Sequence, residues 1–282
     1  MHMHPLIALF TDFGTRDAYV AQMKGAILTI CPHAQLVDLN HEVGQFDVRG
    51  AAYVLAASAA FFPAQTIVVA VVDPGVGSER RPVMLQTASD KWFVGPDNGL
   101  FTHVMEREGV RRAAVLDRPA YYRAADLSAT FHGRDIFGPI AAHLAAGIDP
   151  EQLGSMTSEL FVTLPRRQPR QVGQALMGEV QHIDHYGNVV TNLTPGLLDA
   201  WPKPAASVHR TKIYCVHRSE THAVQWVNTY AEGEPGALLG LLNSERFFEF
   251  AMARGSAKVF LDAAVGDAIE LWPSKDEKPS IA

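Results

Sequence analysis

Cysteine is nearly missing from this chain. Only Cys31 and Cys215 occur among 282 residues, too few for a disulfide framework, and they fit a reducing compartment in which both serve as core thiols. No stretch approaches the ~20 apolar residues of a membrane span. The apolar run at residues 6–10 lacks both the length and the preceding basic region of a secretory signal, so a soluble cytoplasmic protein is expected. Cationic runs are absent too: 24 Lys and Arg against 30 Asp and Glu leave a formal charge of −6, which argues against nucleic acid or an acidic membrane as the main partner. No GxGxxG or GxxxxGK[ST] follows an apolar run, so neither a dinucleotide fingerprint nor a P-loop is supported, and the missing GxSxG argues against a serine hydrolase. The chain has 12 histidines, yet there is no HExxH, no CxxC pair and no calcium loop. Neither His182 with Asp184 and His185 nor His2 with His4 has the spacing of a known metal site.

What is present divides the chain in two, as its length allows. Up to about residue 148, apolar runs at 6–10, 35–39, 66–72 and 91–94 alternate with segments of helical spacing at 17–30, 46–62, 99–108 and 134–146. Uninterrupted apolar strands between helices belong to a parallel sheet covered on both faces. The segment LPRRQPRQVGQ, residues 164–174, has the composition of a linker. Beyond it, short β-rich segments at 175–183, 188–193, 212–217, 237–242 and 268–271 are separated by turn residues. The expectation is an open, mostly parallel α/β domain over 1–164, a linker over 165–174, and a smaller antiparallel β-barrel over 175–282.

Ligands of open α/β sheets bind beyond the carboxyl ends of the strands. There the sequence delivers Thr11-Asp12-Phe13-Gly14, Asn40-His41-Glu42, Asp73-Pro74-Gly75 and Pro96-Asp97-Asn98-Gly99. Asp and Asn are also turn formers and helix caps. PDNG reads that way, whereas convergence at one rim favours a site for Asp12 and Asp73. In FHGRD, residues 131–135, His132 and Arg134 flank a glycine just before a helix, where free N–H groups favour an anion. A histidine there is commonly a cap or packing residue, so His132 gains weight only if it faces Asp73.

Taken together, TDFGTRDAYVAQMKG (11–25), VVDPGVGSERR (71–81), VGPDNGL (94–100), FHGRDIF (131–137), IDHYGNVVTN (183–192) and LLNSERFFEFA (241–251) closely resemble the SAM hydroxide adenosyltransferases, or SAM hydrolases. That family was long catalogued as a domain of unknown function and is related to fluorinase and chlorinase. The resemblance implies attack of water or hydroxide on C5′ of S-adenosyl-L-methionine (SAM), giving adenosine and L-methionine, with no cofactor and no metal. It also implies an α/β domain followed by a β-barrel, and a homotrimer whose sites lie between the α/β domain of one subunit and the barrel of the next.

Carried over position by position, the triad is Asp73, Arg80 and His132. Asp12 is expected at the ribose diol with Phe46 against the sugar, Asp17 close to the same pocket, and Phe131 and Gly133, beside the triad histidine, among the substrate-binding residues. From the barrel, Asp184 and Ser244 would contact the methionine end, while Tyr186, Asn188 and Tyr230 would hold adenine. Either His132 or Asp73 is a candidate proton acceptor; one division of labour has Asp73 orient water while His132 takes the proton.

Two departures matter. Many relatives read NSxG where this chain has Asn243-Ser244-Glu245-Arg246, so a different loop geometry is expected. Arg81 beside Arg80 leaves open which guanidinium points inward, with spacing favouring Arg80 and Arg81 placed at solvent or a subunit contact. Three other readings compete, one of them a general nucleoside-binding protein or metal hydrolase that would lose activity on chelation. A chlorinase-type halogenase is opposed by Asp73, where halogenating relatives carry an aromatic residue; a SAM or adenosine sensor without turnover is opposed by retention of the triad.

Overall fold

The computed structural model describes residues 4–123, 127–159, 161–201 and 212–274; His2 lies outside them. The chain divides into two compact units, Met1–Leu164 and Pro165–Ala282.

The first unit is built on β1 (Leu6–Thr11), β2 (Gln35–Asn40), β3 (Ile67–Val71), β4 (Pro82–Thr87), β5 (Trp92–Pro96), β6 (Val110–Val115) and β7 (Ser155–Met156), in the order β2-β1-β3-β5-β4-β6-β7. β2, β1, β3 and β5 run parallel, while β4, β6 and β7 extend the sheet by antiparallel pairing. Successive side chains of a strand point to opposite faces, so a strand buried on both sides must be apolar throughout. Ile7, Leu9, Val69 and Val94 pack on one face with Met23 and Ile27 of α1 (Tyr19–Ile30). Ala8, Phe10, Val68, Ala70 and Phe93 pack on the other with Ala51 and Leu55 of α2 (Val48–Ala59) and Val104 of α3 (Thr102–Glu108). α4 (Gly138–Ala145) adds Ile140 and Ala141 to the α1 side, and the short α5 (Pro150–Leu153) follows. The carboxyl ends of four adjacent parallel strands therefore share one edge. β4 intervenes in sequence between β3 and β5 as an antiparallel strand, so the runs at 66–72 and 91–94 are spatial neighbours but not consecutive strands.

The second unit is a barrel of β9 (Ala175–Ile183), β10 (Val189–Thr191), β11 (Lys212–His217), β12 (Glu220–Trp226), β13 (Leu238–Leu242), β14 (Phe248–Met252) and β15 (Ala268–Trp272), closed by the pairing of β10 with β9. Its pairings are antiparallel except β12 with β13, which is parallel. β8 (Arg170–Val172), inside the stretch read as linker, pairs with β9. Helices α6 (Pro195–Ala200) and α7 (Ala257–Leu261) sit in its connections. The interior is filled by Leu176, Val180, Ile213, Cys215, Phe248, Phe250 and Leu271. Among the described residues no helix is long and apolar enough to cross a membrane.

Candidate active site

Asp73 follows the buried end of β3 and is itself 9% exposed. The chain then doubles back: Val76 N donates to the Asp73 carbonyl at 3.2 Å and Ser78 N to the Gly75 carbonyl at 3.1 Å. Gly77 makes the turn possible. Its φ is +76°, and a Cβ there would lie 2.5 Å from the Ala129 carbonyl oxygen. The turn returns Arg80 to Asp73, where Nε donates to Oδ1 at 3.0 Å and Oδ2 at 2.9 Å, and Nη2 donates to Oδ2 at 2.5 Å. Nη2 also meets His132 Nδ1 at 2.6 Å. Beneath the guanidinium, the Phe137 ring centroid is 5.3 Å from Arg80 Cζ, in cation–π range.

His132 and Phe137 reach Arg80 from one segment. Residues Gly133–Phe137 form a π-helical turn ahead of α4, with Gly138 N bonded to the Gly133 carbonyl. Such turns carry one more residue than an α-helical turn, and this one caps on His132. A guanidinium has donors only, so His132 Nδ1 must present a lone pair and the neutral ring carries its proton on Nε2. Burial first, and then the positive charge of Arg80, hold the imidazole below the usual histidine range.

The loop after β1 supplies the second acid. The Thr11 hydroxyl is 2.8 Å from His41 Nδ1 and accepts from Phe13 N at 3.2 Å, and Gly14 N donates to the His41 carbonyl at 2.7 Å. A register shift between Leu9 and Phe10 against β2 immediately precedes this loop, as irregular pairing often does beside functional sites. Asp12 Oδ2 accepts from Phe46 N at 2.9 Å. Phe46 adopts φ +61°, strained for a bulky residue, and is 68% exposed. Asp12, Asp17, Phe46, Asp73, Phe131, His132 and Gly133 all line one cleft of about 290 Å³. A Cβ at Gly133 would fall 3.2 Å from the Phe13 ring, a tight contact that the ring would have to yield to. Sequence reading missed Tyr19, Gln45, Val76 and Thr130, which line the same cleft. Tyr19 packs edge-on against Phe131, centroids 5.4 Å apart, and its position inside the TDFG block was the available signal.

The barrel carries a separate pocket of about 740 Å³ lined by Asp184, Tyr186, Asn188 and Tyr230, with Met252, Ala253 and Arg254 among the groups not anticipated. Asp184 closes the β9–β10 turn, accepting from Tyr186 N at 2.9 Å, Asn188 N at 2.8 Å and Asn188 Nδ2 at 2.8 Å. Ser244 does not line this pocket; it is exposed in the turn between β13 and β14.

Several neighbouring groups have structural work instead. Arg81 turns to Asp97, Nη2 to Oδ2 at 2.6 Å, and to Glu159, so it is a partly exposed tie within the unit. Asp97 is 5% exposed and also accepts from Val162 N at 2.8 Å, while Asn98 holds the Val72 carbonyl at 2.8 Å as a turn former. Arg134 pairs with Asp135 and reaches Gln22. Asn40 accepts from Glu42 N, and Glu42 accepts from the Thr15 hydroxyl. Arg246 adopts φ +64°, the left-handed conformation a glycine would take without strain, so a non-glycine side chain has been accommodated in a glycine-type turn. Among the described residues no group of three or more His, Cys, Asp or Glu side chains is placed to hold a metal.

Family profiles described as SAM hydroxide adenosyltransferase N-terminal domain and C-terminal domain match residues 7–154 and 178–270. A protein of Methanocaldococcus jannaschii named (R)-S-adenosyl-L-methionine hydrolase is 34% identical, the match covering 94% of this chain and 95% of the relative. One of the same name from Thermus thermophilus is 36% identical over 95% of this chain and 100% of its own. A fluorinase of an Actinoplanes species is 31% identical over only 67% of this chain and 72% of its own. Among solved structures, an uncharacterized conserved protein from Thermotoga maritima superposes with a TM-score of 0.86 at 34% identity, covering 94% of this chain and 99% of that one.

Proposed function

The chain belongs to the SAM hydroxide adenosyltransferase family and is an enzyme that hydrolyses SAM; we propose that water or hydroxide attacks C5′, with Asp73, Arg80 and His132 as its catalytic residues. The bond from C5′ to sulfur breaks as the bond from oxygen to C5′ forms. Methionine departs as a neutral thioether, and the sulfonium charge is replaced by one proton released per turnover. The observation that carries this reading is that Arg80 contacts both Asp73 and His132, and that these two residues line a cleft with Asp12 and Phe46.

The geometry favours a different division of labour from the one in which His132 takes the proton. Arg80 occupies the Nδ1 lone pair of His132, and Nε2 is then a donor. A carboxylate offers about four acceptor sites, and Arg80 uses three on Asp73. Asp73 therefore accepts a hydrogen from the nucleophile while His132 donates to its oxygen, fixing the lone pair that attacks. Positioning of this kind lowers barriers by several kcal/mol. No acid is required at a leaving group that departs neutral, so the reaction is read as free of metal and cofactor.

At about 290 Å³ the cleft is below the 300–1,000 Å³ typical of sites that enclose a whole ligand. We assign the ribose to Asp12 and Phe46, and the nucleobase to Tyr186, Asn188 and Tyr230 in the barrel pocket of another copy, in the homotrimer implied by the family resemblance. Asp184 and Ser244 are assigned to the methionine end. The relatives' names extend the reading to the (R) configuration at sulfur. A cytoplasmic location is supported by two free, buried cysteines. A halogenase is disfavoured because Asp73, held in place by Arg80, puts a carboxylate that repels halide in the cleft. Chromatography of an incubation with each sulfonium epimer tests the function: adenosine and methionine are expected in equal amounts, and their absence overturns it. Light scattering of the same sample tests the trimer.

A further inference from the structure

β14 alternates, sending Phe248 and Phe250 into the barrel core and Glu249 to the opposite face. A carboxylate on the outer face of a barrel strand is ordinarily solvated. Glu249 is 3% exposed. It is not an isolated buried charge, because its two oxygens meet donors from two separate elements. Tyr230 Oη, in the turn after β12, donates to Oε1 at 2.7 Å. Asn243 Nδ2, at the end of β13, donates to Oε2 at 3.3 Å. The other end of the same amide is also in use, for Asn243 Oδ1 accepts from Glu245 N and Phe247 N, both at 3.0 Å. Taking up the amide's donor end forces its acceptor end toward the turn, the turn that carries Ser244 and the left-handed Arg246.

We propose that Glu249 is a positioning residue that fixes the Tyr230 ring and the 243–247 turn as one unit, so that the nucleobase wall of the barrel pocket and the loop beside it are set together. This rests on the assignment of that pocket to the nucleoside. Burial foremost, with the nearby negative charge of Asp184, raises the Glu249 carboxyl above its ordinary range, while its hydrogen bonds from Tyr230 and Asn243 oppose that shift. The carboxylate is thus held at an electrostatic cost that two well-placed donors offset. Tyr230 lines the pocket and remains 51% exposed, so without its hydroxyl anchor the ring is free to swing.

The test measures adenosine release and calorimetric adenosine binding in the full chain and in Glu249→Leu, Glu249→Gln, Tyr230→Phe and the double variant Tyr230→Phe/Glu249→Leu. Losing hydrogen bonds to a charged group predicts that Glu249→Leu raises both KM and the adenosine Kd roughly tenfold, with kcat within about twofold because the triad is untouched. Glu249→Gln, which can still accept from Asn243, recovers part of the loss. The double variant costs less than the product of the single effects, because both act through one ring. An unchanged KM and Kd in Glu249→Leu, or single effects that simply multiply, overturns the proposal. If Glu249→Leu does not fold, Tyr230→Phe decides alone: a severalfold rise in adenosine Kd is expected, and an unchanged Kd overturns it. Wild-type protein that binds adenosine but releases none from SAM would count against the reaction and leave the positioning test intact.

Discussion

A single nitrogen, Arg80 Nη2, donates to Asp73 Oδ2 at 2.5 Å and to His132 Nδ1 at 2.6 Å. The two candidate proton-handling groups are therefore ordered by one guanidinium, and the flat fork is what makes that possible. A lysine ammonium is a point donor and cannot reproduce the arrangement. Arg80→Lys is expected to lower kcat by about 10²-fold or more while KM changes by no more than a few-fold, as steady-state adenosine release will show.

The same contact predicts an acid limit of activity. Protonation at His132 Nδ1 removes the lone pair Arg80 uses and places two cations together. Because burial and Arg80 hold the imidazole below its usual range, kcat/KM is expected to stay level through neutrality and to fall only below the ordinary histidine value of about 6.5. Stability follows the same direction. A histidine with a depressed folded pKa leaves more protons bound to the unfolded chain in that window, so stability is full above about 6.5 and is lost as pH falls through the folded value. A pH–rate profile with its acid limb at or above 6.5 would contradict the assignment.

Gly77 is the backbone condition for the pair. Its φ of +76° and the 2.5 Å approach of an added Cβ to the Ala129 carbonyl predict that Gly77→Ala destabilises the fold by about 2–3 kcal/mol. Denaturant unfolding measures this, and kcat should drop with it because the turn carries Arg80.

The parallel half of the sheet was legible because β1, β3 and β5 are buried on both faces and so read as unbroken apolar runs. β4, β6 and β14 were not: each mixes apolar positions with polar ones such as Gln86, Arg112 and Glu249, and depends on pairing across the chain. The acids at the strand ends could be read, but the part played by Arg80 could not be separated from that of Arg81 until the turn through Gly77 was seen. Which histidine nitrogen is occupied, the strained Phe46 and the burial of Glu249 are properties of packing, and no spacing announces them. Family resemblance supplied the triad, and the contact of Arg80 with His132 Nδ1 is what supports a donor's role for its histidine.

Arg246 offers a reverse test of backbone strain. At φ +64° it holds a conformation that costs a non-glycine residue about 1 kcal/mol. Arg246→Gly is expected to stabilise the protein by up to that amount in equilibrium unfolding, with turnover retained because the turn keeps its shape.

The most direct test of the water-attack mechanism is hydrolysis of SAM in ¹⁸O-labelled water, run with chelator and with added chloride or fluoride, followed by mass analysis of the nucleoside. The account predicts adenosine with one ¹⁸O at the 5′ position, at a rate unaffected by chelation, and no halogenated nucleoside; Asp73→Asn should lose most of that product. Unlabelled adenosine, a 5′-halogenated nucleoside, or full labelling at the wild-type rate in Asp73→Asn would contradict it.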